Sequence, residues 1–465
     1  MMETVTVADV AEWEADLEAL TDGLRHLFRR PEPHATFKKF IRGLSADVAR
    51  KNAWELAEYA GLDTPRPVEH LLDLAVWDVE ELRAVVRDLV VENLGDGRDS
   101  VVVIDDTQVI KQGTKSVGVS RQHCGATGQV ENCQVWVMMS MASRHGHAFF
   151  DRELYIPEPW IDDLARRAVA AVPADKKFMT KPGLAVSMLE RAMADEVTFG
   201  WVACDSGYGR DPGLRQFCHD NTLRYVMAVA VDLPLVEAGE PSRCDMVLAR
   251  TTDDLWERRS QGDGTKGTRT YDWSFHHVHV KDQMPSVGFE HTLLIRRSKE
   301  KKVTKKHPEG VHEIDYYLAH APAGTPMPIL VKIAGFRWRI EENNGQAKDL
   351  LGMGQYQVRK WTPTIRHVTM AMLALAFLAS CRSRLGKSPT RTTAKPTRVS
   401  VRTIRAVMAL TSLSKDIDIA GVLRRLAWRS WHMSLAMINH YRRRGDLLPI
   451  DLAMIDRERR TVDMI

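Results

Sequence analysis

Arg337, Glu341 and Lys348 stand four and then seven residues apart in the stretch KIAGFRWRIEENNGQAKDLL, Lys332 to Leu351. If that stretch is helical, 3.6 residues per turn bring all three side chains to one face, a carboxylate between two cations. A surface ion-pair ladder would use the same spacing and contribute only about 0.3–0.5 kcal/mol per pair. The alternative is a metal-binding carboxylate flanked by groups that hold phosphates. It needs partner carboxylates, and the chain supplies them at the ends of apolar runs: Asp105-Asp106-Thr107 after VVVI, and Asp205 in CDSGYGRD after Phe199–Cys204. Glu341 is preferred over Glu342 because it alone has Arg four before and Lys seven after. Strand side chains alternate, so one of Asp105 and Asp106 faces the site; spacing leaves open which. Carboxylate oxygens suit Mg²⁺, and two such ions about 3.5–4 Å apart activate an attacking oxygen and stabilise the leaving one without a protein nucleophile. Arg337 and Lys348 would then clamp phosphates. Lys111 and Lys115, just after the first acidic pair, either touch DNA or are solvated loop lysines.

The elements that must position these residues follow from periodicity. Residues 1–95 read as helices, with Trp13, Leu17, Leu20, Leu24 and Leu27 at helical spacing. Residues 96–232 read as strand, strand, strand, helix, strand, helix, strand, with acids ending Val101–Asp105 and Phe199–Asp205. The expected segments are Ser116–Arg121, Gln134–Ala142 with His147–Tyr155 behind it, helix Leu184–Glu196, helix Pro212–Asp220 and strand Arg224–Val231. That order matches an RNase H-like α/β sheet, in which the two acid-ended strands lie side by side. Residues 233–324 read as a β-rich insertion, and 325–385 as the second part of the core. There Lys332–Leu351 is expected to be mostly one helix, and Ile365–Cys381 an apolar helix under the sheet. Residues 386–465 read as a basic linker, then helices near Val401–Leu413 and Ile419–Tyr441.

At 465 residues two to four domains are expected. The net charge of +4 says little, but its distribution says more. Leu350 to Lys415 holds twelve Lys or Arg and no acid, and Arg296–Lys306 is basic with only Glu300 opposing. Such patches attract phosphate backbones. Six scattered cysteines without CxxC spacing suggest buried thiols in a reducing compartment. The N-terminus lacks signal-peptide order, and the apolar run Met370–Ala379 falls short of the about 20 residues a membrane span needs. A cytoplasmic, nucleoid-associated protein is expected.

Taken together these motifs resemble the DDE transposases of bacterial insertion sequences, in the branch with a Tyr-x-x-Arg-x-x-x-Glu-x-x-x-x-x-x-Lys signature and an inserted β domain. Arg337, Glu341 and Lys348 fit that spacing, while Ala334 stands at the Tyr position, leaving that role unfilled or filled by Phe336 or Trp338. The family's strand-ending Asp-x-Thr favours Asp105, and its Asp-x-Gly-Tyr/Phe-Gly turn matches Asp205. The resemblance extends through KNAWELAEYAG, KSVGVSRQHCG, ENCQVWV, GMGQYQVRKW and RHVTMAMLALAFLA. It implies a catalytic and metal-binding triad of Asp105, Asp205 and Glu341 with two Mg²⁺ ions, for which Mn²⁺ substitutes. It also implies double-stranded DNA as partner, both terminal inverted repeats and target, and a homodimer in the synaptic complex. Relatives that form hairpins use an aromatic residue of the β insertion, a role open here to Trp273 or Tyr271. Two other functions share these residues: a transposase-derived DNA-binding regulator without catalysis, and a structure-specific nuclease of the same fold.

Overall fold

Five helices open the chain in the computed structural model, which describes residues 5–264, 267–304, 307–387, 399–411 and 438. They are α1 (Val7–Gly23), α2 (Pro31–Ser45), α3 (Ala53–Tyr59), α4 (Arg66–Asp73) and α5 (Val79–Leu94). Their starts are local: a Thr6–Asp9 capping box begins α1, and the Asn52 side chain accepts from Trp54 and Glu55 N–H at the start of α3. The alternating region follows as β1 (Val101–Ile110), β2 (Ser120–Cys124), β3 (Gln129–Ser143), β4 (Gly146–Tyr155), α6 (Glu158–Asp162), α7 (Leu164–Val169) and α8 (Lys181–Ala194). Then come β5 (Trp201–Cys204), α9 (Ser206–Gly209), α10 (Pro212–Asp220) and β6 (Tyr225–Val229). The β-rich stretch holds β7 (Pro234–Glu237), β8 (Glu240–Arg243), α11 (Cys244–Arg250), β9 (Glu257–Gly264), β10 (Gly267–Val280), β11 (Phe289–Thr304) and β12 (His307–Pro322). The described chain ends in α12 (Met327–Phe336), α13 (Trp338–Asp349), α14 (Trp361–Lys387) and α15 (Val401–Thr411).

The chain forms two compact units, residues 1–89 with 345–465, and residues 90–344. In the first, α14 packs against α2, α4 and α15. Within this unit these helices are the neighbours of the expected apolar helix Ile365–Cys381. Its apolar residues from Val368 to Ala379 are all buried, so it is apolar all round, as a helix enclosed by others must be. Trp361–Leu385 is long and apolar enough to cross a bilayer, unlike the ten-residue run read from sequence, but the whole of its apolar window is buried inside the protein. Arg366 crosses this core with its guanidinium over the Trp77 ring, donating to the carbonyls of Leu71, Leu72 and Trp77. Cations of the N-terminal helices are partly committed within the unit. Lys38 pairs with Glu18 and Asp22, and Arg42 with Glu14 and Glu18, tying α2 to α1. In the basic C-terminal run, Arg384 pairs with Asp16, Arg405 with Asp47, and Arg382 donates to the Val399 carbonyl. The expected helix Ile419–Tyr441, apart from Ile438, and the Arg442–Arg444 run lie outside the described residues.

The second unit is built on one mixed sheet of order β2-β3-β1-β5-β6-β12-β11-β10-β7-β8, with β4 on β3 and β9 on β10. Strands β1, β5 and β6 are parallel, whereas β3 and β4 are antiparallel neighbours beyond β1, the RNase H-like pattern. β12 pairs antiparallel with β6, so the β-rich stretch continues the same sheet. The expected strand Ser116–Arg121 begins later, at Ser120. Val117 and Val119 are buried there, yet Gly118 turns with φ +71°, and a Cβ on it would meet the Tyr155 carbonyl at 3.1 Å. All six cysteines are buried free thiols.

Elsewhere in this unit, His219, His291 and His320 form a buried imidazole core with Tyr225 and Phe289. His219 Nε2 lies 3.2 Å from His291 Nε2, and the His219 and His320 rings are 4.4 Å apart. Burial, and for His219 and His291 the neighbouring imidazoles, depress these groups to about 4, 3 and 4 respectively. The folded rings therefore stay neutral while unfolded ones take up protons below about pH 6.5. Stability is full above that pH and falls as pH drops toward 4. One imidazole moved from 6.5 to about 4 weakens folding by about 2 kcal/mol at about pH 5. Between about pH 7.5 and 5 the melting temperature of the parent should drop relative to that of His219→Phe; a difference that does not change with pH would contradict this.

Candidate active site

Strand register brings the first two acids together. Ile104 on β1 is level with Cys204 on the parallel β5, so Asp105 and Asp205 follow level residues on neighbouring strands, about 5 Å between chains; β1 does not end at Asp105 as expected but runs on to Ile110, paired with β3. The Asp205 side chain caps α9, one oxygen accepting from Gly207 N–H at 2.9 Å and Tyr208 N–H at 3.2 Å. Gly209 closes that turn against β6, where a Cβ would sit 2.0 Å from the Ala228 carbonyl oxygen. Asp106 is engaged elsewhere: it pairs with Lys181 of α8 at 2.5 Å and accepts from Gln108. The charges of both Asp105 and Asp106 nonetheless reach the Asp205 and Tyr208 corner, Asp205 raising Asp105 and Asp106 raising Asp205.

The expected single helix over Lys332–Leu351 is two, broken at Arg337 between α12 and α13. Near the break Gly335 meets β9 so closely that a Cβ would lie 2.2 Å from the Gln261 carbonyl oxygen. Glu341 and Lys348 still share α13, two turns or about 10 Å apart along its axis. Arg337 pairs with Glu341 at 3.2 Å, and its charge also reaches Asp105 and Asp205. Burial pushes the Asp105 carboxyl up to about 8, helped by the charges of Asp205 and Asp106. Burial also raises Asp205 and Glu341, against the pull of Arg337 on both. Glu342 differs: despite burial, its hydrogen bond with His147 and the Arg339 charge hold it down at about 2.

Lys111 and Lys115 do not join this cluster. Lys111 follows the end of β1, six residues or about 20 Å along the strand from Asp105, and Lys115 is exposed in the next loop. Ala334, at the Tyr position of the signature, is buried in α12, while Trp338 is 41% exposed under the Arg269 guanidinium. Trp273 is fully buried 5.7 Å from the Tyr317 ring, and Tyr271 lies beneath Arg296. Sequence reasoning missed Tyr208, which sits among Asp105, Asp106 and Asp205 with a buried hydroxyl lacking a hydrogen-bond partner among the described residues.

Three carboxylates, raised by burial, beside an orphaned hydroxyl form an all-oxygen donor set that fits a hard divalent cation. Among the described residues no three His, Cys, Asp or Glu side chains already stand at ligating distance.

Residues 23–243 match the family model described as DDE superfamily endonuclease, a segment containing Asp105 and Asp205 but not Glu341. A probable transposase for insertion sequence element IS701 from Microchaete diplosiphon is 27% identical over 208 residues, covering 44% of this chain and 51% of that relative. The chain thus spans about half the length of the curated relative it matches. Both findings agree with the motifs: the chain resembles insertion-sequence DDE transposases.

Proposed function

We propose that this chain is a transposase that cleaves DNA at terminal inverted repeats and joins the ends to target DNA, using Mg²⁺ held by Asp105, Asp205 and Glu341, with Mn²⁺ as substitute. The observation that carries the reading is the parallel register setting Asp105 beside Asp205, with Arg337 linking Glu341 electrostatically to both. Bound there, a pair of divalent ions would activate the attacking oxygen and stabilise the leaving one. In the first reaction water attacks a phosphodiester at the element end; the P–O3′ bond breaks, leaving a 3′-hydroxyl and a 5′-phosphate. In the second, that 3′-hydroxyl attacks a target phosphodiester, forming one P–O bond and releasing a target 3′-hydroxyl.

The chain's own groups orient the DNA. Lys348, on the same face of α13 as Glu341, is suited to a backbone phosphate. Arg269, over Trp338 and near Glu341, adds positive charge at this edge. Lys111 and Lys115 would follow the duplex further out, and a homodimer would hold two ends in the synapse. The test is incubation of the protein and Mg²⁺ with duplexes carrying the inverted repeats that flank its coding region. Nicks at the repeat boundary and joined products are expected; cleavage without preference for those ends would favour a nuclease instead.

A further inference from the structure

We infer that His147, Glu342, Asn343 and Ser140 are positioning residues that fix the rotation of α13 and so aim Glu341 at the aspartates, an inference resting on the reading of Glu341 as a metal ligand. Glu342 and Asn343 directly follow Glu341, and at about 100° per residue their side chains leave the helix in different directions. His147 of β4 gathers both, with Nε2 3.0 Å from Glu342 Oε2 and Nδ1 2.7 Å from Asn343 Oδ1. Asn343 Nδ2 donates to Ser140 Oγ of β3 at 2.9 Å, and Arg339 pairs with Glu342 at 3.0 Å. His147, Asn343 and Ser140 are buried, Asn343 and Ser140 completely.

The anchor lies where it matters for the first acid. Ser140 pairs in register with Val103, two residues before Asp105 on the same strand. The polar chain therefore connects the strand that presents Asp105 to the helix that presents Glu341. The two ring nitrogens of one imidazole, each facing an oxygen of consecutive helix residues and both donating only when the ring is doubly protonated, oppose rotation of α13 about its axis. A turn of one residue would carry Glu341 about 100° from its present direction. Buried polar groups of this kind lose their partners if the helix turns, and a polar group left buried and unpaired is strongly disfavoured.

The probe is Mn²⁺, titrated into the DNA-free protein and followed by electron paramagnetic resonance, beside the melting temperature and the Mn²⁺ dependence of cleavage. His147→Leu should raise the half-saturating Mn²⁺ concentration about tenfold or more, as loss of groups orienting metal ligands does. His147→Gln, whose amide can reach Glu342 from the Nε2 position, should recover most of that affinity. If His147→Leu does not fold, Ser140→Ala removes only a hydroxyl and should still raise the midpoint severalfold. Glu341→Gln serves as the control. If it binds Mn²⁺ and cleaves as the parent does, the role of Glu341 falls and the positioning role with it. If Glu341→Gln fails while the folded His147 and Ser140 variants keep the parent's midpoint, the positioning role alone is overturned.

Discussion

Asp205→Asn should abolish cleavage of a terminal-repeat duplex, by about a thousandfold or about 4 kcal/mol of barrier, while leaving duplex binding nearly intact. The substitution separates chemistry from folding because Asn caps helices as well as Asp does. An amide oxygen can accept the same two bonds from Gly207 and Tyr208, so the turn after β5 keeps its shape. What it loses is the negative charge that a hard divalent ion requires. Rates from radiolabelled duplex, with gel-shift affinity measured in parallel, decide the matter. Cleavage at the parent rate would remove Asp205 from the site, and lost binding with an unfolded protein would assign it to the fold.

Arg337→Ala should weaken the metal-free protein by roughly 1–3 kcal/mol and lower cleavage at least about tenfold. Breaking a fully buried ion pair costs more, but Arg337 and Glu341 side chains retain 22% and 35% exposure, so water screens part of the effect. The loss arises because one guanidinium faces Glu341, Asp105 and Asp205 together. Without it these carboxylates repel one another. Mn²⁺ should therefore raise the melting temperature of Arg337→Ala more than that of the parent, the added cation taking over the missing charge. Parent-like stability without metal would show that Arg337 serves substrate alone, as a phosphate clamp.

The aspartates were legible because each follows an uninterrupted apolar run, but only Asp205 stands at a strand end; β1 continues past Asp105 to Ile110 because the residues after it stay paired with β3. Sequence could not choose between Asp105 and Asp106, since both faces of a parallel strand are covered. Lys181, 75 residues on from Asp106, makes the distinction by engaging it. The break at Arg337 was invisible: no proline marks it, and Gly335 reveals its purpose only once β9 lies against it. The spacing left Arg337 and Glu341 open to an ion-pair ladder or to a carboxylate flanked by phosphate clamps; they pair at 3.2 Å, and the Arg337 charge also reaches Asp105 and Asp205. The helix Ile365–Cys381 was legible from its apolar run, while α2, α4 and α15 as its neighbours were not, because an apolar surface on all sides does not name what covers it. The bonds of Glu342 and Asn343 could not be anticipated, because His147 and Ser140 lie about two hundred residues away in sequence.

Convergence of Asp105, Asp205 and Glu341 on shared cations is most directly tested by anomalous scattering from crystals of the protein soaked in Mn²⁺. Strong peaks between the ends of β1 and β5 and the first turn of α13, with Glu341 released from Arg337, are the expected result. Peaks bound elsewhere, or Glu341 still paired with Arg337 and out of reach in crystals that cleave DNA, would contradict it.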